Sequence, residues 1–121
     1  MARATAAHKQ IHFFADEELY KRILAARMKM MPEPMNVNRF VEWCVERGVA
    51  DVSKKRWKTP PAKVPRADDA HSIHFSASMD FYRKIHVIRA VFPKVPTLKD
   101  FVVWCVERGI DEVYDNGKSA S

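Results

Sequence analysis

Glycine is scarce in this chain, three residues in 121, and none stands in a run that cradles a phosphate. There is no nucleophile elbow and no pair of carboxylates at catalytic spacing, so the residues point to no enzyme class and to no cofactor. Cysteine is rarer still. Cys44 and Cys105 form neither a CxxC nor a cysteine–histidine pair at zinc spacing. They read as core thiols in a reducing compartment, with a disulfide between them as the alternative. No apolar run approaches the roughly 18 residues of a membrane span. Met1 to Gln10 also lack the hydrophobic stretch of a secretory signal. His71 and His74 are three apart, a spacing that points them to opposite faces of a strand and argues against a metal site. A soluble, cytoplasmic, metal-free protein is expected. At 47% hydrophobic and 30% charged residues the composition is that of an ordinary globular domain.

One segment lacks acid altogether. Lys54, Lys55, Arg56, Lys58, Lys63 and Arg66 stand between Ser53 and Arg66 with no Asp or Glu among them. Elsewhere basic and acidic residues balance, so the formal net charge of +6 resides in this stretch. Pro60, Pro61 and Pro65 argue against helix and for an extended linker. Such a linker is either an arm that follows a polyanion or a solvated tether, and composition leaves both readings open. Trp57, alone among its lysines, has no evident core role, which leaves a contact with DNA sugar or a partner protein open.

What is abundant is repetition. Ile11-His12-Phe13 returns as Ile73-His74-Phe75, and Trp43-Cys44-Val45-Glu46-Arg47-Gly48 returns as Trp104-Cys105-Val106-Glu107-Arg108-Gly109. Tyr20, Ile23, Arg27 and Pro34 recur as Tyr82, Ile85, Arg89 and Pro96. With Met35 left unmatched, 17 of 41 aligned positions from Ile11 to Val52 are identical. A unit this small rarely buries enough apolar surface to fold alone. Two copies in one chain therefore suggest a fused dimer, monomeric in solution. The expected organisation is one domain over 1–121, made of a first repeat (8–52), a basic proline-containing linker (53–70), a second repeat (71–113) and a loose tail (114–121).

Each repeat reads as strand, helix, helix. Lys9 to Phe14 and His71 to Ser76 alternate as half-buried strands do, with Ile11, Phe13, Ile73 and Phe75 inward. The two strands are expected to pair with each other as a ribbon. Asp16 and Ser78 are good N-caps for the first helices, whose apolar stripes run Leu19, Ile23, Ala26, Met30 and Phe81, Ile85, Ile88, Phe92. Pro32 and Pro34, like Pro93 and Pro96, are expected to end those helices. Asn36 and Thr97 open the second helices, which carry Phe40, Val41, Cys44 and Val45, or Phe101, Val102, Cys105 and Val106. Gly48 and Gly109 serve there either as C-caps or as close-packing points. Trp43, Trp104 and His86 read as packing residues, and Glu46-Arg47 and Glu107-Arg108 as surface charges.

The pattern Ile11-x-Phe13-x-x-Asp16-Glu17-Glu18-Leu19-x-x-x-Ile23, then Asn36-x-Asn38-x-Phe40, resembles the ribbon-helix-helix DNA-binding family. The second copy fits as Ile73-x-Phe75-x-x-Ser78-x-x-Phe81-x-x-x-Ile85, followed by Thr97 and Phe101. The resemblance implies a mainly α fold with a short two-stranded antiparallel ribbon. Its order is tandem, β-α-α-β-α-α, forming an intramolecular pseudo-twofold dimer. Tandem copies are similar to the accessory DNA-binding proteins of plasmid conjugation and T-DNA transfer, including overdrive-binding virulence proteins. That likeness implies bacterial cytoplasm, double-stranded DNA as ligand, and a relaxase or other transfer protein as partner. It further implies that the chain is the C-terminal part of a longer protein.

A two-stranded ribbon fits the major groove, where base edges are distinguishable. In the family the outward strand residues read bases, which maps onto Gln10, His12 and Phe14, and onto Ser72, His74 and Ser76. Phe14 departs from the usual polar or basic residue. It either meets a thymine methyl or sugar, or folds back onto the core. The start of the second helix clamps phosphate in the family, which maps onto Asn36, Val37 and Asn38, and onto Thr97, Leu98 and Lys99. Lys9, Lys54, Lys55, Arg56 and Lys58 complete the expected phosphate contacts. Only His12 and His74 match between the two outward faces, so a non-palindromic site is expected. The alternative is a protein-interaction module, antitoxin-like or regulatory, that keeps the fold with weak or non-specific DNA binding.

Overall fold

The computed structural model describes residues 8–30, 33–57, 60–63 and 70–119, with side chains of the last helix through 115. Pro32, Lys58, Pro65 and Arg66, to which the sequence assigned roles, lie outside the described residues. The elements follow the order strand, helix, helix, twice over: β1 (His8–Ala15), α1 (Glu17–Arg27), α2 (Val37–Ser53), β2 (His71–Ser78), α3 (Met79–Arg89) and α4 (Leu98–Ser119). The fold is mainly helical, with one two-stranded antiparallel sheet of β1 and β2.

Alternation in the strands does what it should. Ile11, Phe13, Ala15, Ile73, Phe75 and Ala77 are buried, while Gln10, His12, Ser72, His74 and Ser76 are exposed. A one-residue slip would turn either buried set to solvent, so the register is strongly specified. His12 faces His74 at its centre.

Local caps start the helices. The Asp16 carboxylate accepts from the Leu19 N–H at 2.8 Å, and the Ser78 hydroxyl from that of Phe81 at 3.1 Å. The first helices end earlier than the apolar period suggested, at Arg27 and Arg89. Tighter turn bonds follow, Lys29 N–H to Ala26 at 3.0 Å and Val91 N–H to Ile88 at 3.0 Å. Met30 and Phe92 still reach the core, but from the connection. Prolines disfavour helix at the residue before them, so the chain unwinds well ahead of the next helix start.

α2 and α4 cross at the centre. Gly48 lies against Cys105 and Gly109 against Cys44, so close that a Cβ on Gly48 would sit 2.5 Å from the Cys105 sulfur. The glycines are close-packing points, and both helices run straight through them. α2 ends at Ser53, where Lys55 takes φ 58°. Its N–H bonds Val52 at 2.9 Å, and that of Arg56 bonds Asp51 at 2.7 Å, closing the turn without glycine. α4 continues to Ser119, so the expected loose tail from Tyr114 is helical instead. The Lys29 ammonium over the Tyr114 ring, 5.5 Å from its centroid, ties that extension to the first repeat.

The same crossing brings four charges together. Arg47 pairs with Glu112 at 2.5 Å, and Arg108 pairs with both Asp51 and Glu112, the latter at 2.6 Å. Arg47 and Arg108 are therefore not the free surface charges that their sequence suggested. Arg108 is largely enclosed, its side chain 24% exposed. Cys44 and Cys105 are buried and not joined in a disulfide, and burial pushes both thiols well up. No side chain described as buried is polar or charged except these thiols.

Candidate nucleic-acid interface

Five of the six outward strand residues form one exposed polar face: Gln10, His12, Ser72, His74 and Ser76. Antiparallel pairing sets Gln10 opposite Ser76 and Phe14 opposite Ser72 around the central histidines. An eight-residue ribbon is about 27 Å long at roughly 3.4 Å per residue, and a major groove about 12 Å wide admits two strands. Phe14 is neither free nor in the core. It is half-buried, and the Lys99 ammonium stands 5.1 Å from its ring centroid.

The starts of α2 and α4 flank this face. One cleft of about 340 Å³ is lined by Gln10, His74 and Ser76 together with Asn36, Asn38, Arg39 and Glu42. A second, of about 410 Å³, is lined by Gln10 and His12 together with Tyr82, Thr97, Leu98 and Lys99. The Asn36 side chain accepts from the Arg39 N–H at 2.7 Å, and the Thr97 hydroxyl from that of Asp100 at 3.1 Å. The N–H groups of Val37, Asn38, Leu98 and Lys99 come too early in their helices to have an intrahelical acceptor. Free donors of this kind, with the helix dipole behind them, suit an anion.

Two residues hold these starts in place. Arg27 donates to the Met35 carbonyl at 3.0 Å, and Arg89 to the Pro96 carbonyl at 2.6 Å. Each carbonyl immediately precedes a helix cap. Both arginines recur in the repeat alignment, and that internal recurrence of a charge was the available signal. Arg89 is itself braced, its Nε donating to His86 Nδ1 at 3.0 Å. Only a neutral imidazole can accept there. Burial, and Arg89 beside it, hold the His86 pKa below its ordinary 6.5. A depressed histidine contributes stability that is present above its unfolded value and lost as pH falls. The thermal midpoint should therefore drop more in the intact chain than in His86→Gln between about pH 7.5 and 5.5. Parallel melting curves for the two would remove His86 from the brace.

Lys9 lies at the ribbon end with its ammonium 5.8 Å from the Tyr82 ring centroid. Lys54, Lys55 and Arg56 are elsewhere. They follow the last turn of α2, roughly 25 Å along the helix axis from Asn36 at about 1.5 Å per residue, and line neither cleft. Trp57 does have a core role, against expectation. It is half-buried with its ring edge-on to Phe92 at 5.1 Å. Trp43 and Trp104 stack on Phe40 and Phe101, each at 5.8 Å. Among the described residues no three His, Cys, Asp or Glu side chains gather as metal ligands, and no helix is long and apolar enough to cross a membrane.

Compared with protein-family models, curated proteins and solved structures, the chain matches none.

Proposed function

We propose that this chain is a tandem ribbon-helix-helix pseudodimer that binds double-stranded DNA, with the β1–β2 ribbon in the major groove. The observation that carries this reading is the ribbon itself. Its one face is wholly buried apolar core, its other an exposed row centred on His12 and His74, with a capped helix start on each side. The pairs Gly48–Cys105 with Gly109–Cys44, and Arg47–Glu112 with Arg108–Asp51, support a pseudo-twofold between repeats. Off the central histidines the outward residues differ, which suits an asymmetric DNA site. The function we infer is that of a monomeric accessory factor in plasmid or T-DNA transfer, acting in the bacterial cytoplasm beside a relaxase or other transfer protein. It needs no catalytic group and no cofactor.

The competing reading, a protein-interaction module, has one observation on its side. Val87, Val91 and Val95 of the second repeat are 68%, 48% and 55% exposed.

Fluorescence anisotropy on a labelled duplex separates the two. A well-placed base contact is worth about 1–3 kcal/mol of discrimination. His12→Ala/His74→Ala should therefore weaken binding to a preferred duplex at least tenfold and flatten its preference over random sequence. Unchanged affinity and preference would take the ribbon out of the groove and move the protein-interaction reading ahead.

A further inference from the structure

We infer that charged side chains grip the DNA backbone from one flank of the ribbon only, the α4 flank, through Lys9 and Lys99. This rests on the DNA-binding reading above and adds a polarity to it. Near its start each strand lays a side chain on the tyrosine of the other repeat. In β1 it is Lys9, with its ammonium over Tyr82 at 5.8 Å. The matching residue of β2 is His71, stacked on Tyr20 at 4.0 Å and bound to Glu17 at 2.9 Å. That histidine draws the Glu17 pKa below its ordinary value, so a carboxylate stands where the other flank has Met79.

The helix starts diverge in the same sense. Lys99 rides on Phe14 at 5.1 Å, whereas the equivalent pair on the other flank is Asn38 and Ser76. The cation of that other cleft, Arg39, is taken by Glu42 at 3.4 Å and Glu46 at 3.7 Å. Asp100 is the acid at the start of α4, and it leaves the Lys9–Lys99 flank net positive. On the α2 flank Glu42 and Glu46 stand around Arg39 while Glu17 pairs with Lys21 and His71, so three carboxylates outnumber Arg39 and Lys21 and the flank is net negative. Exposed charges act over about 8–10 Å at physiological salt, so each flank presents its own sign to the phosphates nearest it. An ammonium already laid on an aromatic face also loses less freedom when it meets phosphate. The protein would then sit on its duplex in one orientation, with phosphates held on the side of Thr97 and Lys99.

The test is the salt dependence of anisotropy for the full chain and three variants. Each phosphate neutralised contributes about 0.9 to the slope of log affinity against log salt. Lys9→Ala/Lys99→Ala should lower the slope by about 1.8, and Arg39→Ala should leave it unchanged. Glu42→Gln/Glu46→Gln, which frees Arg39, should raise it by about 0.9. An unchanged slope in the lysine variant, or an equal fall in Arg39→Ala, overturns the one-sided grip while leaving DNA binding intact. Absence of binding by the intact chain at every salt concentration overturns the DNA reading and the grip together.

Discussion

Gly48→Ala should destabilise the protein by about 2 kcal/mol, Gly109→Ala by a similar amount, and the two together should leave little cooperative folding. Alanine in place of a helical glycine ordinarily gains about 1 kcal/mol. Here the sign reverses, because the added carbon has nowhere to go. At Gly48 it meets the Cys105 sulfur at 2.5 Å, the Cys105 Cβ at 3.0 Å and its Cα at 3.4 Å. Rotating the thiol relieves only the first of these. At Gly109 the same atoms of Cys44 stand in the way. Overpacking costs typically 1–3 kcal/mol and these sites belong at its upper end, against a total stability of about 5–15 kcal/mol for a domain. Urea unfolding followed by circular dichroism measures each loss. Cys105→Ala in the Gly48→Ala background should restore part of it by removing the nearest atom. A Gly48→Ala chain more stable than the parent would mean that the helices have room to spare.

Arg108→Ala should cost about 2–3 kcal/mol. Breaking a fully buried ion pair costs about 3–5 kcal/mol, and the partial exposure of this one reduces the figure. Arg108 joins Asp51 and Glu112 across the helix crossing, and without it Arg47 alone faces two acids. Burial works to raise the Glu112 pKa, but hydrogen bonds from Arg47 and Arg108 outweigh it and leave the group below its ordinary 4.5. A depressed carboxylate contributes stability that is present above its unfolded pKa and lost as pH falls through the folded value. The deficit of Arg108→Ala should therefore be largest near neutral pH and shrink toward about pH 4. Denaturation at both pH values checks this; an equal deficit at each would separate Glu112 from the loss.

What was legible in the sequence was whatever is decided locally. Strand alternation showed which of Ile11, His12 and Phe13 turn inward, and the caps Asp16, Ser78, Asn36 and Thr97 identified themselves by residue type. Helix ends were harder. Met30 and Phe92 continue the apolar period although the helix has stopped, because a connection can bury a side chain at the same place. A glycine that closes a helix and one that lets two helices touch look alike in sequence, since both positions merely exclude Cβ. The face of the ribbon was readable, and so were its flanking starts. Pairing of the two strands followed from each lacking a partner in its own repeat, but the side-chain contacts between distant segments were invisible: Arg108 on Asp51, Lys99 on Phe14, Trp57 on Phe92. Arg27 and Arg89 were visible as repeated letters, yet their work on the next helix start exists only in three dimensions.

The ribbon joins the first strand of the chain to one that begins at His71, and that has a cost during synthesis. A polypeptide emerging from the ribosome presents β1 long before β2 exists. Until then Ile11, Phe13 and Ala15 lack their partner strand, and the Cys44 side of α2 has no α4 to close on. The nearest substitute is another unfinished first half on the same message, which carries an equivalent strand and the same crossing helix. Once the second half arrives, the tether raises its effective concentration to the order of millimolar. Carrying both strands in one chain thus replaces a search for a partner by a wait for one.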